Sequence, residues 1–214
     1  MPEYVINRSF RTRVARSERV LNVAESFGLG LEERDFHVFR DLKISVERGD
    51  VVYITGQSGS GKSILLRELS CQMAVEGLNV RNIDEVELKE GALIDQIGHD
   101  MQSAIELLSR AGINDAYLTI RSPEELSDGQ RYRLRLAKLM ESNADVWVAD
   151  EFGAILDRVT AKVVAFNAQK LARACKRTLI VATTHTDLVE ELAPDLIVEK
   201  RFESRVNITK RGDK

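Results

Sequence analysis

A chain of 214 residues with 43% hydrophobic side chains can bury one sizeable core, or one core with a sub-domain, and is too short for several. With 30% charged residues and a net charge of −3 it is not a protein that coats nucleic acid, although a local basic face stays open. No apolar run approaches the roughly 18 residues that span a bilayer. The N-terminus, Met1-Pro2-Glu3-Tyr4-Val5, has no signal pattern, and Cys71 and Cys175 lack metal-ligand spacing, which fits a reduced, cytoplasmic compartment.

Residues 1–27 read as β-like material rich in arginine: Arg8, Arg11, Arg13, Arg16 and Arg19. On a strand, Arg11 and Arg13 share one face and Arg8 takes the other. The favoured reading is a solvated sheet face with neighbouring acids such as Glu3 and Glu18; the alternative is a basic strip for nucleic acid or an acidic partner. Phe27-Gly28-Leu29-Gly30 is a turn signal. Its aromatic, Phe27, is a candidate for stacking on a nucleotide base, with Phe36 and Phe39 as rivals. Val38 to Val46 alternates roughly apolar and polar, and Glu47-Arg48-Gly49-Asp50 turns into the apolar run Val51–Thr55.

There the chain reads Gly56-Gln57-Ser58-Gly59-Ser60-Gly61-Lys62-Ser63, followed by a helical pattern from Ile64 through Leu65, Leu66, Leu69 and Met73. Strand, GxxxxGKS loop and helix form the phosphate-binding P-loop arrangement. Glycines let successive backbone N–H groups turn inward onto phosphate oxygens, and the helix adds the positive end of its dipole. Lys62 reaches the terminal phosphates and Ser63 ligates Mg²⁺, so Gly56, Ser58, Gly59, Ser60, Gly61, Lys62, Ser63 and Ile64 are the candidate nucleotide contacts.

Gly77 stops that helix, and Val80 to Leu88 is a mixed, strand-like segment. His99 to Ala111 has helical period, with Gly112 as its stop. Ser122-Pro123-Glu124-Glu125 is a helix-start signal, and Ser127 to Gln130 has capping-box spacing ahead of a stripe of Leu134, Ala137 and Met140. Val146-Trp147-Val148-Ala149-Asp150-Glu151 is a buried strand ending in two carboxylates. A loop from Phe152 to Asp157, a helix over 161–174, a second buried strand ending at His185, a short helix at 188–192 and a strand at 196–198 complete the pattern. Buried strands separated by helices indicate a mostly parallel sheet in an α/β core.

An acid at the carboxyl end of a strand beside the P-loop strand is where Mg²⁺ is held, which makes Asp150 the candidate. Glu151, one residue on, is placed to act as general base on the attacking water. His185 ends another strand, where it can touch the γ-phosphate or that water.

In this order GQSGSGKS, Gln96, LSDGQ, VWVADE, AILD and His185 resemble an ATP-binding-cassette (ABC) ATPase. LSDGQ is similar to that family's signature, with Asp128 in place of a glycine. The resemblance implies a P-loop α/β fold with an N-terminal antiparallel β sub-domain and a small helical sub-domain at roughly 98–142, all in one domain over 1–214. It also implies ATP and Mg²⁺ as ligands, hydrolysis to ADP and phosphate, and a head-to-tail homodimer. By resemblance Gln96 binds metal and water, and Asp157 couples two sites across the dimer. Ser127, Gly129 and Gln130 close on the partner's ATP. Phe152 stands where the family usually has proline, and no aromatic precedes Gln96. The helical insert is short, which weighs against docking on a membrane permease. LSDGQRYRLRLAKLM and ADVWVADEFGAILDR look closer to soluble ABC-type ATPases often fused to a predicted acetyltransferase domain. The chain printed ends at Lys214, so that domain is not expected within it. The expected function is therefore a soluble, ATP-driven mechanochemical switch for a protein or nucleic-acid partner. The transporter subunit is the alternative.

Overall fold

The computed structural model of the chain describes residues 2–33, 35–201 and 205–211. A short antiparallel sheet pairs β1 (Glu3–Arg11) with β2 (Asp35–Ser45). The main sheet holds β3 (Val51–Gly56), β4 (Val80–Asn82), β5 (Val146–Ala149), β6 (Thr178–Thr183), β7 (Leu196–Lys200) and β8 (Val206–Lys210). Its spatial order is β4-β5-β6-β3-β7-β8, and every pairing is parallel except β7 with β8.

The strands read as continuous apolar runs because both faces of the sheet are covered. Alternate residues divide between the faces. Ile54, Val148 and Ile180 meet Leu65, Leu69 and Met73 of α2 (Lys62–Val75), together with Tyr4 and Ile6 of β1. Tyr53, Trp147 and Val181 meet the other layer, built from residues of two helices placed later in the chain. A third apolar cluster joins Leu93 and Ile97 to Ala104 and Leu108 of a helix over Met101–Arg110, and to Leu126, Leu134 and Ala137. Leu88 also packs against it, so these apolar contacts begin upstream of the helical unit expected from about residue 98.

In chain order the helices are α1 (Glu18–Phe27), α2, α3 (Met101–Arg110), α4 (Ala116–Thr119), α5 (Asp128–Glu141), α6 (Arg158–Ala174) and α7 (Val189–Leu192). The sequence reading of residues 1–27 as β-like holds only for β1. Ser17 caps a helix by accepting from the Val20 N–H at 3.4 Å, and Gly28 ends it in the left-handed conformation at φ 61. Only Ala24 of α1 is buried. The start signal at Ser122 gives a genuine capping box but a single 3-10 turn, Pro123–Glu125. Leu126 then leaves helical geometry (φ −84, ψ 148) to bury its side chain, and Ser127 caps the real helix, α5. The strand-like stretch 80–88 shortens to β4 and a 3-10 turn, Ile83–Glu85.

Candidate functional site

The P-loop joins β3 to α2, and its backbone is shaped by what lies beneath it. Gly56 has φ 142, and a Cβ there would lie 2.0 Å from the Lys200 carbonyl oxygen on β7. Gly61 has φ 102, and a Cβ there would meet Val38 Cγ1 at 2.7 Å. Neither position accepts a larger side chain without moving a strand. Val38 reaches that spot because it is the extra residue of a β-bulge: Ser9 faces His37 and the next pairing, Arg8, faces Phe39. Lys62 is 8% exposed and donates to the Gln57 carbonyl at 2.9 Å. Burial pushes its pKa down, and the carboxylates of Asp150 and Glu151 oppose that. The loop's Ser60 Oγ and the neighbouring Thr55 Oγ1 are buried with no hydrogen-bond partner, a cost normally relieved by a ligand or water.

Beside this loop, parallel pairing lines up the carboxyl ends of β5, β6 and β3, the edge at which open α/β sheets bind ligands. Asp150 follows β5 and shares a cavity of about 500 Å³ with Ser63. Its Oδ1 accepts the Glu151 N–H at 2.9 Å. Glu151 is exposed with φ 46, a left-handed conformation that non-glycine residues adopt at a cost of about 1–3 kcal/mol. Phe152 explains the missing proline: it is fully buried, its N–H donates to Ala182 O at 2.9 Å, and its ring meets Tyr132 of α5 edge-on at 6.5 Å. His185 follows β6, with its N–H on Thr183 Oγ1 at 3.2 Å and its carbonyl accepting from Tyr53 OH of β3.

Ser127, Gly129 and Gln130 lie together at the start of α5. The Ser127 N–H donates to Gln130 Oε1 at 2.9 Å, and the Gln130 N–H donates to Ser127 Oγ at 3.3 Å. Asp128 pairs with Arg131 at 2.5 Å. A Cβ on Gly129 would sit 3.4 Å from Ile155 O, so this turn leans on the loop that leads to Asp157. Asp157 itself caps α6, accepting from the Thr160 N–H at 3.0 Å, and hydrogen bonds from the Thr160 side chain and then its N–H hold the carboxyl below the usual range.

Two expectations change. Gln96 spends its amide inside its own loop: Nε2 donates to Gly91 O at 2.7 Å and Oε1 accepts from the Lys89 N–H at 3.2 Å. It does not line the cavity shared by Ser63 and Asp150, so this geometry gives no support to a catalytic or metal role for it. Phe27 stands at the end of α1 with its ring 75% exposed. Phe39 is 1% exposed beneath Gly61, leaving Phe36, which is exposed and directly opposite the exposed Phe10 of β1. The arginine strip is partly neutralised, with Arg8 on Glu68 at 3.3 Å and Arg11 on Glu33 at 2.9 Å.

Sequence reading missed three residues of the site. Lys200 is fully buried under the P-loop, its ammonium over the Phe39 ring at 5.3 Å, and only the apolar alternation of β7 hints at its placement. Tyr132 lies among arginines, outside the apolar stripe of Leu134, Ala137 and Met140. Asp84 was hidden because β4 is too short to show a strand pattern.

Among the described residues, no group of three or more His, Cys, Asp or Glu could hold a metal alone. The donors present fit Mg²⁺, which commonly takes one or two protein oxygens beside phosphates and water: Ser63 and Asp150, lining one cavity, would supply them.

More than half of the chain, residues 39–154, matches the family described as ABC transporter. Methionine import ATP-binding protein MetN 1 of Oenococcus oeni is 24% identical over 202 residues, which cover 78% of this chain and 57% of that protein. The macrolide export ATP-binding/permease protein MacB of Aggregatibacter actinomycetemcomitans is 28% identical over 167 residues, 61% of this chain and 25% of that protein. Among solved structures, the dimeric, post-hydrolysis ATP-binding cassette MJ0796 bound to ADP and Pi has a TM-score of 0.65 at 18% identity, covering 86% of this chain and 95% of that one. CbiO1 of Clostridium perfringens, part of the transporter complex cbiONQ, has a TM-score of 0.59 at 20% identity over 80% of each chain. The chain spans about half the length of the methionine-import relatives it matches.

Proposed function

The chain belongs to the ABC transporter family, and from that membership we propose that it is the ATP-binding cassette of a membrane transporter. It binds ATP with Mg²⁺, hydrolyses it between two head-to-tail copies and passes the conformational cycle to a permease. The observation that carries the ATPase part is the gathering of the P-loop, Asp150, Glu151 and His185 at neighbouring strand ends.

In this reading the backbone from Gly56 to Ile64 and the Lys62 ammonium hold the phosphates. Ser63 and Asp150 hold the metal, which supplies charge stabilisation at the terminal phosphates when bound. Glu151 takes a proton from the attacking water, and His185 orients that water or the γ-phosphate. The exposed pair Phe10 and Phe36 offers the base a stacking surface in place of Phe27. Ser127, Gly129 and Gln130 serve the nucleotide of the other copy, with Asp157 on the adjoining loop.

The transporter part rests on the relatives. Import and export ATPases stand where the sequence alone favoured a free-standing switch, and none of those named above is described as an acetyltransferase or a nucleic-acid protein. Among the described residues no helix is long and apolar enough to cross a membrane.

Lys62→Ala removes a charge-assisted clamp on the phosphates, each such bond contributing roughly 1.5–3 kcal/mol. ATP affinity by calorimetry is expected to fall about tenfold or more; an unchanged affinity rejects the P-loop assignment. In its own cells at native level the chain is expected to sediment with membranes and to be released by detergent. Recovery wholly in the supernatant returns the reading to a switch without a membrane partner.

A further inference from the structure

The strand beside β5 delivers a third carboxylate, outside the P-loop, Asp150 and Glu151. β4 runs parallel to β5 with Asn82 opposite Val148, so the two chains leave the sheet side by side at the P-loop end. The fully buried Ile83 anchors the 3-10 turn there, and Asn82 Oδ1 accepts the Asp84 N–H at 3.1 Å. Asp84 is thereby held at the sheet edge.

A cavity opens on each side of it. The one shared by Ser63 and Asp150 also includes Asn82, Asp84 and Glu85 in its wall. The other, of about 530 Å³, is lined by Asp84, Glu85, Pro123, Arg131 and Arg135. Arg131 and Arg135 are on the first turns of α5, directly after Ser127. The Arg135 Nε–H is buried and has no hydrogen-bond partner. Partial burial and then the Asp150 charge push the Asp84 carboxyl up, whereas Arg135 pulls it down. Asp84 therefore stands between the Asp150 carboxylate, which repels it, and the Arg135 guanidinium, whose buried Nε–H has no hydrogen-bond partner.

We propose that Asp84 is a positioning residue that orders water around the metal at Ser63 and Asp150 and, through Arg135, couples that metal to the start of α5. This rests on the nucleotide reading of the P-loop. Mg²⁺ gives up its waters reluctantly, so a carboxylate at the cavity wall accepts from those waters rather than replacing them. A doubly charged cation beside Asp150 reverses the local field and draws Asp84 toward the P-loop. Without the metal, the Asp150 charge drives Asp84 toward Arg135. The signature turn Ser127–Gln130 caps the helix that carries Arg135, so the two positions of Asp84 are felt where the other copy's nucleotide is received.

The test measures metal and nucleotide separately. ATP affinity is taken by calorimetry in excess chelator. Mn²⁺, as the probe, is then titrated into the ATP-loaded protein and its free fraction read by electron paramagnetic resonance. Outer-sphere partners commonly govern metal affinity by 10–100-fold. Asp84→Asn is expected to keep or tighten metal-free ATP binding and to weaken Mn²⁺ binding by about tenfold, with Asp84→Glu recovering part of the loss. Combined with Arg135→Met, Asp84→Asn is expected to cost little beyond Asp84→Asn alone, because the two side chains act as one unit. Mn²⁺ affinity within twofold of the parent in Asp84→Asn overturns the proposal, as do losses that simply multiply in the double variant. If the parent chain itself binds no ATP, the nucleotide reading falls first and this proposal with it.

Discussion

Glu151 shows how one residue pays with backbone strain for a chemical position. Its φ of 46 turns the chain sharply after β5, so that Asp150 faces the Ser63 cavity while Glu151 projects into solvent. The Asp150 carboxylate and the buried Phe152 hold the turn from either side. In the proposed reading, two adjacent carboxylates gain separate tasks in this way, one toward the metal and one free to take a proton. Glu151→Gln keeps size and hydrogen bonding but cannot accept that proton, and a positioned base contributes roughly 10²–10⁴-fold. ATP binding is expected to persist while turnover falls by that factor; turnover within twofold of the parent passes the base role to another group, with His185 first in line. Tyrosines carry a second residue-level effect. Burial pushes Tyr53 up to about 12, and burial with the Glu76 hydrogen bond does the same for Tyr4. The unfolded chain releases these protons near pH 10 and the folded chain only near 12, so folding stability is intact below pH 10 and is lost as pH rises through that window. Stability is expected to fall between pH 10 and 11 as these tyrosines ionise more readily in the unfolded chain. Urea denaturation at the two pH values reads the slope, and Tyr4→Phe is expected to make it shallower.

At the scale of elements, Tyr132 ties α5 to the loop after β5. Its hydroxyl accepts the Gly153 N–H at 3.2 Å, and its ring meets Phe152. Tyr132→Phe leaves a buried N–H without a partner, which costs roughly 1–3 kcal/mol. Thermal unfolding is expected to report that loss, and turnover is expected to fall more than ATP affinity, because the loop carries Glu151 and Asp157 rather than the phosphate cradle. Equal losses of affinity and turnover place Tyr132 in general stability alone. The elements legible in the sequence were those with a strong pattern. The apolar runs of β3, β5 and β6 and the capping box of α5 appear where residue order put them. Errors gathered where tertiary packing outweighed local signal. Ser122-Pro123-Glu124-Glu125 has every mark of a helix start, yet burial of Leu126 stops it after one turn. The role of Gln96 stays a proposal taken from its order between motifs, and order in sequence does not show which strand lies beside β5. That strand is β4, only three residues long, and the carboxylate it delivers is Asp84. α1 has Ser17 and Gly28 at its two ends, but the arginines leading into it, among polar residues, mask the helical signal.

For the whole molecule, the decisive question is how two copies meet. The α5 terminus presents backbone N–H groups and a positive dipole end, which suit the terminal phosphate of a nucleotide held by another chain. Asp128 adds a negative charge at that terminus, and its pairing with Arg131 at 2.5 Å offsets part of it. Arg131 is itself fixed by donating to Leu126 O at 2.6 Å, so the pair is built into the turn. A surface shaped for phosphates has little reason to associate without them, since like charges and hydrated polar groups face each other across it. The chain is therefore expected to be monomeric when free of nucleotide and dimeric when ATP is held uncleaved, the nucleotide supplying much of the interface. Light scattering of Glu151→Gln with and without Mg-ATP reads this directly. Ser127→Arg places a bulky cation at the α5 terminus and is expected to abolish the dimer while leaving ATP binding to its own P-loop unchanged. Arg131→Met uncovers the Asp128 charge and is expected to raise the ATP concentration needed for dimerisation several-fold, with Asp128→Gly in the same chain restoring it. A Glu151→Gln protein that stays monomeric under saturating Mg-ATP, or a Ser127→Arg variant that pairs as well as its parent, is incompatible with the head-to-tail arrangement. Either result would place the signature turn against some surface other than a second copy's nucleotide.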